Sequence, residues 1–271
     1  MFRACVFGNP ISQSKSPIIH ANFAKQFSIE LDYSKQLVEQ GDFEKSVGSF
    51  FSDHTSVGAN VTSPFKEEAF NWVDKLSEAA QVAGAINTII RKDDHFYGEN
   101  TDGAGLVADF AFNNVELKGK RVLIIGAGGA AKGVLPALVR AQVHAIAIYN
   151  RTSARAESLV NDYKTRSDVN VTTYSEAVNE KFDIIINATS LSLKGELPPL
   201  SNHVFSDCHV AYDMVYLSHE TSFLTLARTQ GVKHRLDGLG MLVEQAALSF
   251  FHWFNKHPDT SELRRTLIAR D

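Results

Sequence analysis

The chain has 271 residues, 44% hydrophobic and 21% charged, an ordinary globular composition that at about 150 residues per domain points to two domains. Its 27 Lys and Arg stand against 31 Asp and Glu, a net charge of −4, and no basic run or basic–aromatic stripe occurs, which argues against a nucleic-acid partner. No stretch of about 20 apolar residues exists to cross a membrane, and the first residues turn too early for a signal-peptide apolar region, so the cytoplasm is the expected compartment. Cys5 and Cys208 lie in separate strand-like runs, which suits reduced thiols, and none of the ten histidines has zinc-ligand spacing, so no metal site is expected.

In chain order, Arg3–Gly8 reads as a short strand. After a loop, Ser16-Pro17 reads as an N-cap and first helical residue ahead of Ile19, Phe23 and Phe27 at four-residue spacing. Leu31–Val38 is strand-like, Phe43–Phe51 helical, and Ser56–Val61 a third strand ending at Thr62-Ser63-Pro64. Lys75–Ala83 looks helical, and Ala85–Arg91 with His95–Gly98 looks like a hairpin turning at Lys92-Asp93-Asp94. Thr101–Asn113 is a helix leading out of this first β-α-β-α-β domain.

A second alternating unit begins at Arg121–Ile125, an apolar β-branched run suited to a buried parallel strand. Gly126-Ala127-Gly128-Gly129-Ala130-Ala131 follows it, giving G-x-G-x-x-A. Gly126 makes the tight turn, Gly128 lets backbone amides approach a pyrophosphate, and Ala131 allows helix and strand to pack closely. The next strand, Val143–Tyr149, ends in Asn150-Arg151-Thr152, with Arg155 one helical turn later. An NAD site usually places Asp or Glu here for the ribose 2′-hydroxyl, whereas two guanidiniums favour a 2′-phosphate, so the expected cofactor is NADP. Further strands are expected near Asn170–Thr173, Phe182–Asn187 and His209–Met214, the unit ending near Arg235–Gly238. Leu239–Phe254 carries a broad apolar helical stripe and, with a helix at Ser261–Ala269, is expected to return to the first domain.

The expected architecture is therefore α/β: a discontinuous N-terminal substrate domain (1–103 plus 239–271) and a Rossmann-type NADP-binding domain (104–238), with the active site in a cleft between them.

Several segments, in order, resemble the shikimate dehydrogenase family over nearly the whole chain. They are Gly8-Asn9-Pro10-Ile11-Ser12-Gln13-Ser14-Lys15-Ser16-Pro17, Asn60-Val61-Thr62-Ser63-Pro64-Phe65-Lys66, Gly84-Ala85-Ile86-Asn87-Thr88 and Gly98-Glu99-Asn100-Thr101-Asp102-Gly103. The second half adds the glycine fingerprint, Asn150-Arg151-Thr152, Asn187-Ala188-Thr189-Ser190, Tyr212-Asp213-Met214-Val215-Tyr216 and Asp237-Gly238-Leu239-Gly240-Met241. The resemblance implies NADPH-dependent, reversible reduction of 3-dehydroshikimate to shikimate, a step in making aromatic amino acids, with Lys66 and Asp102 handling the proton.

It further implies substrate contacts at Ser12, Ser14, Thr62, Asn87, Tyr216 and Gln245. Cofactor contacts would come from Gly126, Ala127, Gly128, Gly129, Ala130, Asn150, Arg151, Thr152, Arg155, Thr189, Met214, Gly238 and Met241. Taken as residues alone, these positions keep plainer readings. Ser12–Ser16 is a polar turn with a capping serine, and Lys66 is a solvated lysine. Asp102 is a helix N-terminal carboxylate, Asn87 a turn residue, Gln245 a helix-surface residue, Tyr216 a half-buried ring, and Met214 and Met241 core filler. Two departures from the family pattern stand out: Ser192 where glycine is expected, and Ser63 where valine is common. A broader quinate/shikimate dehydrogenase, an aminoshikimate variant and a non-catalytic NADP-binding sensor are the alternatives; the presence of both Lys66 and Asp102 argues against the sensor. A homodimer is left open.

Overall fold

Four successive residues of the first strand, Ala4 to Phe7, are buried, so both faces of that strand are covered, as for the central strand of a parallel sheet. The computed structural model describes residues 1–163, 168–175 and 180–268. These form two units, Met1–Leu106 with 242–268, and Val107–Met241.

The first unit contains β1 (Phe2–Gly8), α1 (Ser16–Gln26), β2 (Leu31–Leu37), α2 (Phe43–Phe51), β3 (Ser56–Val61), α3 (Lys66–Trp72), β4 (Lys75–Leu76), α4 (Glu78–Ala83), β5 (Thr88–Lys92) and β6 (His95–Glu99). Its sheet has the order β2-β1-β3-β5-β6-β4, parallel from β2 to β3 and antiparallel through the β5–β6 hairpin. Phe43, Val47, Phe50 and Phe51 of α2 recur at helical spacing and pack with Phe7, Val61 and Phe65. Gly8 is required where β1 ends, because a Cβ there would lie 2.5 Å from Thr62 Cγ2.

The C-terminal part of the chain joins this unit through specific contacts. Gly58 of β3 lies under Trp253, whose indole N–H donates to the Ile89 carbonyl at 3.0 Å. The last helix, α10 (Ser261–Ile268), is anchored by fully buried Arg264, which donates to Glu244 at 2.8 Å. Gln26 of α1 pairs with the backbone of Asp259 through both its amide nitrogen and its amide oxygen, each at 2.9 Å.

The helix α5 (Asp102–Phe112) carries the chain into the second unit, which continues with β7 (Arg121–Ile125), α6 (Gly129–Arg140), β8 (Ala145–Tyr149), α7 (Ser153–Tyr163), β9 (Asn170–Thr173), β10 (Ile184–Asn187), β11 (Val210–Asp213), α8 (Ser222–Thr229) and β12 (His234–Asp237). The sheet order β9-β8-β7-β10-β11-β12, all parallel, is that of a doubly wound dinucleotide fold. Strand order reverses between β7 and β10, where such folds bind ligands beyond the strand C-termini. The helix α9 (Leu239–Phe254) returns the chain to the first unit.

The expected α/β architecture is present, with local corrections. The helix expected over Lys75–Ala83 is split, because Lys75–Leu76 pairs with β6 and the Ser77 hydroxyl then caps α4 by accepting the Ala80 N–H at 3.1 Å. Ser16 is the first helical residue of α1 rather than its cap, the cap position being Lys15. The short helices α3 and α8 and the strand β12 are additions to the elements expected from the sequence. The two units meet in sequence inside α5 and α9, three residues beyond the expected domain limits, because each helix continues past the point where the chain changes units. Residues 269–271, expected in the first domain and including the end of the Ser261–Ala269 helix, lie outside the described residues. Among the described residues no helix is long and apolar enough to cross a membrane.

A Cβ on Gly58 would come within 2.0 Å of Trp253 Nε1, so Gly58→Ala must displace the indole. The expected loss is about 1–3 kcal/mol of unfolding free energy, typical of overpacking, with a red shift in tryptophan emission; an unshifted spectrum at wild-type stability contradicts the packing.

Candidate active site

Each unit holds one set of the expected site residues. In the first, Lys66 is the first residue of α3 and Asp102 the first of α5. The structure brings them together as an ion pair, Lys66 Nζ donating to Asp102 Oδ2, with side chains 17% and 6% exposed. Two features fit a carboxylate to this place. The positive end of α5 favours an anion in its first turn, and the Asn100 side-chain oxygen accepts the Asp102 N–H at 3.1 Å, so the side chain is left to face Lys66. The other carboxylate oxygen, Oδ1, accepts from Asn87 Nδ2 at 2.8 Å.

Asn87 is buried, and its amide is engaged within the protein. Its nitrogen also faces Thr101 Oγ1 and Gln245 Oε1, both at 2.9 Å, while its oxygen accepts the Thr101 N–H at 2.9 Å. Gln245 of α9 is likewise buried rather than on the helix surface, because its side chain points at Asn87. Thr101 has no assigned role in the sequence reading, although it stands beside Asp102 in the same motif. Its role appears only when α9 supplies the Gln245 carbonyl that its hydroxyl reaches at 3.1 Å.

Ser12 and Ser14 lie in the loop between β1 and α1. Ser14 is half-buried, and its hydroxyl donates to Ser16 Oγ at 3.1 Å. Ser12 is exposed, and its carbonyl accepts from Lys35 Nζ. Lys35 is a cation that no local pattern placed near this loop, since β2 reaches it only by pairing with β1. Thr62 is half-buried beyond β3, its N–H donating to the Phe7 carbonyl at 2.9 Å.

In the second unit, Gly126 has φ +111° and donates its N–H to the Tyr149 carbonyl at 2.7 Å. A Cβ there would meet the Ala188 carbonyl at 3.1 Å, so glycine is needed where the turn from β7 to α6 passes the segment after β10. At Gly128, by contrast, a Cβ would have no atom within 4 Å. This residue is exposed at the N-terminus of α6, with Ala127 buried and Gly129 and Ala130 half-buried, and the first-turn amides of a helix are directed outward from such an end. Arg151 and Thr152, just after β8, and Arg155, in the first turn of α7, are exposed, and Asn150 Nδ2 donates to the Thr152 carbonyl at 2.9 Å. Among the described residues neither guanidinium has a carboxylate partner. This open glycine turn and these two cations fit a dinucleotide bearing a 2′-phosphate.

Thr189 is tied back to Asn187, its hydroxyl donating to Oδ1 at 2.7 Å. Met214 and Tyr216 are half-buried beyond β11, and Met241 is buried on α9. Gly238 is needed where β12 ends, since a Cβ would lie 2.2 Å from the Met214 carbonyl oxygen. Ser192, at the position where glycine was expected, is buried in the short 3-10 turn Leu191–Lys194. Its hydroxyl donates to Asp213 Oδ2 at 2.6 Å, beside Thr221 Oγ1 at 2.7 Å. Burial pushes the Asp213 carboxyl upward, against the opposing pull of these donors.

Three family models match the chain: the shikimate dehydrogenase substrate binding domain over residues 6–89, shikimate/quinate 5-dehydrogenase over 107–194, and the shikimate 5′-dehydrogenase C-terminal domain over 238–268. Shikimate dehydrogenase (NADP(+)) of Colwellia psychrerythraea is 48% identical over 97% of this chain and 95% of its own. Among solved structures, an Ael1 enzyme from Pseudomonas putida aligns with TM-score 0.90 and 40% identity, covering 98% of each chain. The shikimate 5-dehydrogenase of Thermus thermophilus, in complex with NADP(H) and shikimate, aligns with TM-score 0.88 and 30% identity, covering 100% of each.

Behind the Lys66–Asp102 pair, His20 is completely buried and stacked on Tyr33 at 4.3 Å, and burial lowers its pKa from 6.5 to about 3. The folded ring therefore stays neutral where the unfolded chain binds a proton. Its contribution to stability is present above pH 6.5 and is lost as pH falls toward 3, at about 1.4 kcal/mol per pH unit. Denaturant unfolding at pH 6 and pH 5 is expected to show a shallower loss for His20→Phe than for wild type; equal slopes would place the titration elsewhere.

Proposed function

Because the chain belongs to the shikimate dehydrogenase family, we propose that Lys66 and Asp102 carry the proton while NADP(H) carries the hydride between shikimate and 3-dehydroshikimate. The protein is an NADP-dependent oxidoreductase of the shikimate pathway, and so serves aromatic amino acid biosynthesis. The observation that supports the catalytic assignment is the buried Lys66–Asp102 pair, with Asn87 on the second carboxylate oxygen.

Bound at the glycine turn, NADP(H) supplies or accepts the hydride. The protein's own groups do the rest. In the reducing direction Lys66 Nζ gives a proton to the oxygen that becomes the hydroxyl, and in the oxidising direction it takes that proton back. Asp102 holds the Lys66 nitrogen in one place and offers acceptor capacity to a substrate hydroxyl. Ser14, half-buried near the start of α1, and Ser12, close to Lys35, suit the substrate carboxylate, since both bring hydroxyls to a place with positive potential. Thr62 and Tyr216 are assigned to further substrate contacts. The buried amides of Asn87 and Gln245 act on the substrate side by fixing Asp102. The first unit is thus assigned to substrate and the second to cofactor.

Lys66→Met is expected to lower kcat by about 10²–10⁴-fold, the usual worth of a positioned acid or base, with KM for shikimate changing only a few-fold. Asp102→Asn, which keeps the shape and removes the charge, should fall in the same range. Steady-state oxidation of shikimate followed at the NADPH absorbance band checks both; a raised KM at unchanged kcat makes Lys66 a binding residue instead.

Cofactor choice is assigned to Arg151 and Arg155. Replacing both by Ala should raise KM for NADP+ by roughly 10–100-fold, as for loss of charge-assisted contacts to a phosphate, and leave KM for NAD+ nearly unchanged. Equal losses with the two cofactors would make the arginines structural.

A further inference from the structure

The hydrogen bonds behind Asp102 have a direction that the acceptor-only atoms determine. Asn60 of β3 is buried, and its Nδ2 lies 3.2 Å from the Asn87 carbonyl oxygen, which can only accept. The other end of that amide, Oδ1, therefore faces the Tyr33 hydroxyl at 2.8 Å and His20 Nε2 at 3.2 Å, and both must donate to it. His20 then carries its proton on Nε2, leaving Nδ1 as a buried lone pair without a hydrogen-bond partner among the described residues.

The Asn87 amide is oriented in the same way. Its Oδ1 accepts the Thr101 backbone N–H, so its Nδ2 must point at Asp102 Oδ1. Thr88 joins the two amides. Asn60 Nδ2 reaches Thr88 Oγ1 at 3.3 Å, and also reaches Ser249 Oγ at 2.9 Å, which stands 2.7 Å from the same Thr88 oxygen. The Thr88 hydroxyl donates onward to Asn87 Oδ1 at 2.9 Å. With Thr88 giving its single proton to Asn87 Oδ1 and Ser249 donating to Thr88, every step donates toward the carboxylate: from Tyr33 and His20 to Asn60, to Thr88, to Asn87, to Asp102.

We propose that Thr88 is a positioning residue for the reaction, the middle link of a one-way series of buried hydrogen bonds that orients Asp102 and, through it, Lys66. Amides and hydroxyls aligned head to tail polarise one another, and the effect accumulates on the terminal acceptor, which here is the carboxylate that holds the proton-transfer lysine. His20 is kept neutral by its burial, so the series holds one arrangement across the working pH range. The inference rests on the assignment of Lys66 and Asp102 to proton transfer.

The test is Thr88→Val, which replaces the hydroxyl by a methyl of similar size. Expected are a kcat about tenfold lower, KM for shikimate and NADP+ moved less than threefold, and restoration of kcat by Thr88→Ser. Ser56→Ala is the control, since that buried hydroxyl of the same sheet donates to the Phe50 carbonyl at 2.9 Å and takes no part in the series. It should lower Tm without changing kcat. Wild-type kcat in Thr88→Val, a loss that Thr88→Ser does not restore, or an equal kcat loss in Ser56→Ala overturns the inference. If Thr88→Val does not fold, Tyr33→Phe keeps the ring on His20 and removes one donor to Asn60. A kcat about threefold lower supports the series and an unchanged kcat overturns it. Lys66→Met is assayed alongside. If it turns over normally the catalytic assignment itself fails, whereas an inactive Lys66→Met beside a fully active Thr88→Val refutes only the role of Thr88.

Discussion

A carboxylate buried to the extent of Asp102 is costly unless its charge is met, and the first unit is arranged around meeting it. The N-terminus of α5 supplies a partial positive charge, Lys66 a full one, and Asn87 a donor on the opposite oxygen. These groups come from α5, α3 and the loop before β5, and the Asn87 amide is itself held by Gln245 of α9. The carboxylate therefore has a single orientation only when the sheet, the two short helices and the returning C-terminal helix are all in place. Removing any one of them would leave a charge or an amide unpaired in a dry site, which costs more than the bond itself is worth.

The second unit buries a carboxylate too, and treats it differently. Among the described residues no cation bonds Asp213; its partners are the hydroxyls of Ser192 and Thr221, the Asn187 amide and the Val215 N–H. Neutral donors offset burial only in part, and its carboxyl is pushed upward. Asp213 joins the ends of β10 and β11 to the 3-10 turn that contains Ser192, and so shapes the segments carrying Thr189 and Met214. This gives Ser192 a physical role where the family pattern has glycine: the hydroxyl adds one more donor to a buried carboxylate. One unit thus buries a carboxylate against a cation, and the other a carboxylate held by neutral donors that ties two loops together.

The parts of the fold most legible in the sequence were those with a strong period or a strong turn residue. The bounds of α2, β3, β7 and α9 agree with the pattern, since each is an apolar run or stripe whose end is marked by a change in composition, and those of β9 agree on a short β-branched run. The seven residues of α3 and the four of β12 carry too little periodicity to stand out, and the His234–Asp237 run is polar for a strand because it lies at the sheet edge. Lys75–Leu76 resembles the start of a helix until β6 offers it hydrogen bonds, and then Ser77 caps what remains. Thr101, Gln245 and Asn60 were harder still, for their partners are distant in sequence. Gln245 lies 158 residues from Asn87.

What the sequence by itself determined was the class of architecture, the dinucleotide turn with its two arginines, and the identity of a lysine and a carboxylate in separate motifs. Those features are local: a glycine turn, a strand period or a charge at a strand end is written in neighbouring residues. Only the tertiary structure decided that Lys66 and Asp102 meet, that Asn87 faces Asp102 with its nitrogen, and that Gln245 is buried. An amide has no preferred direction until an acceptor-only or donor-only group stands beside it, and here those groups come from residues that only the folding of the sheet brings near.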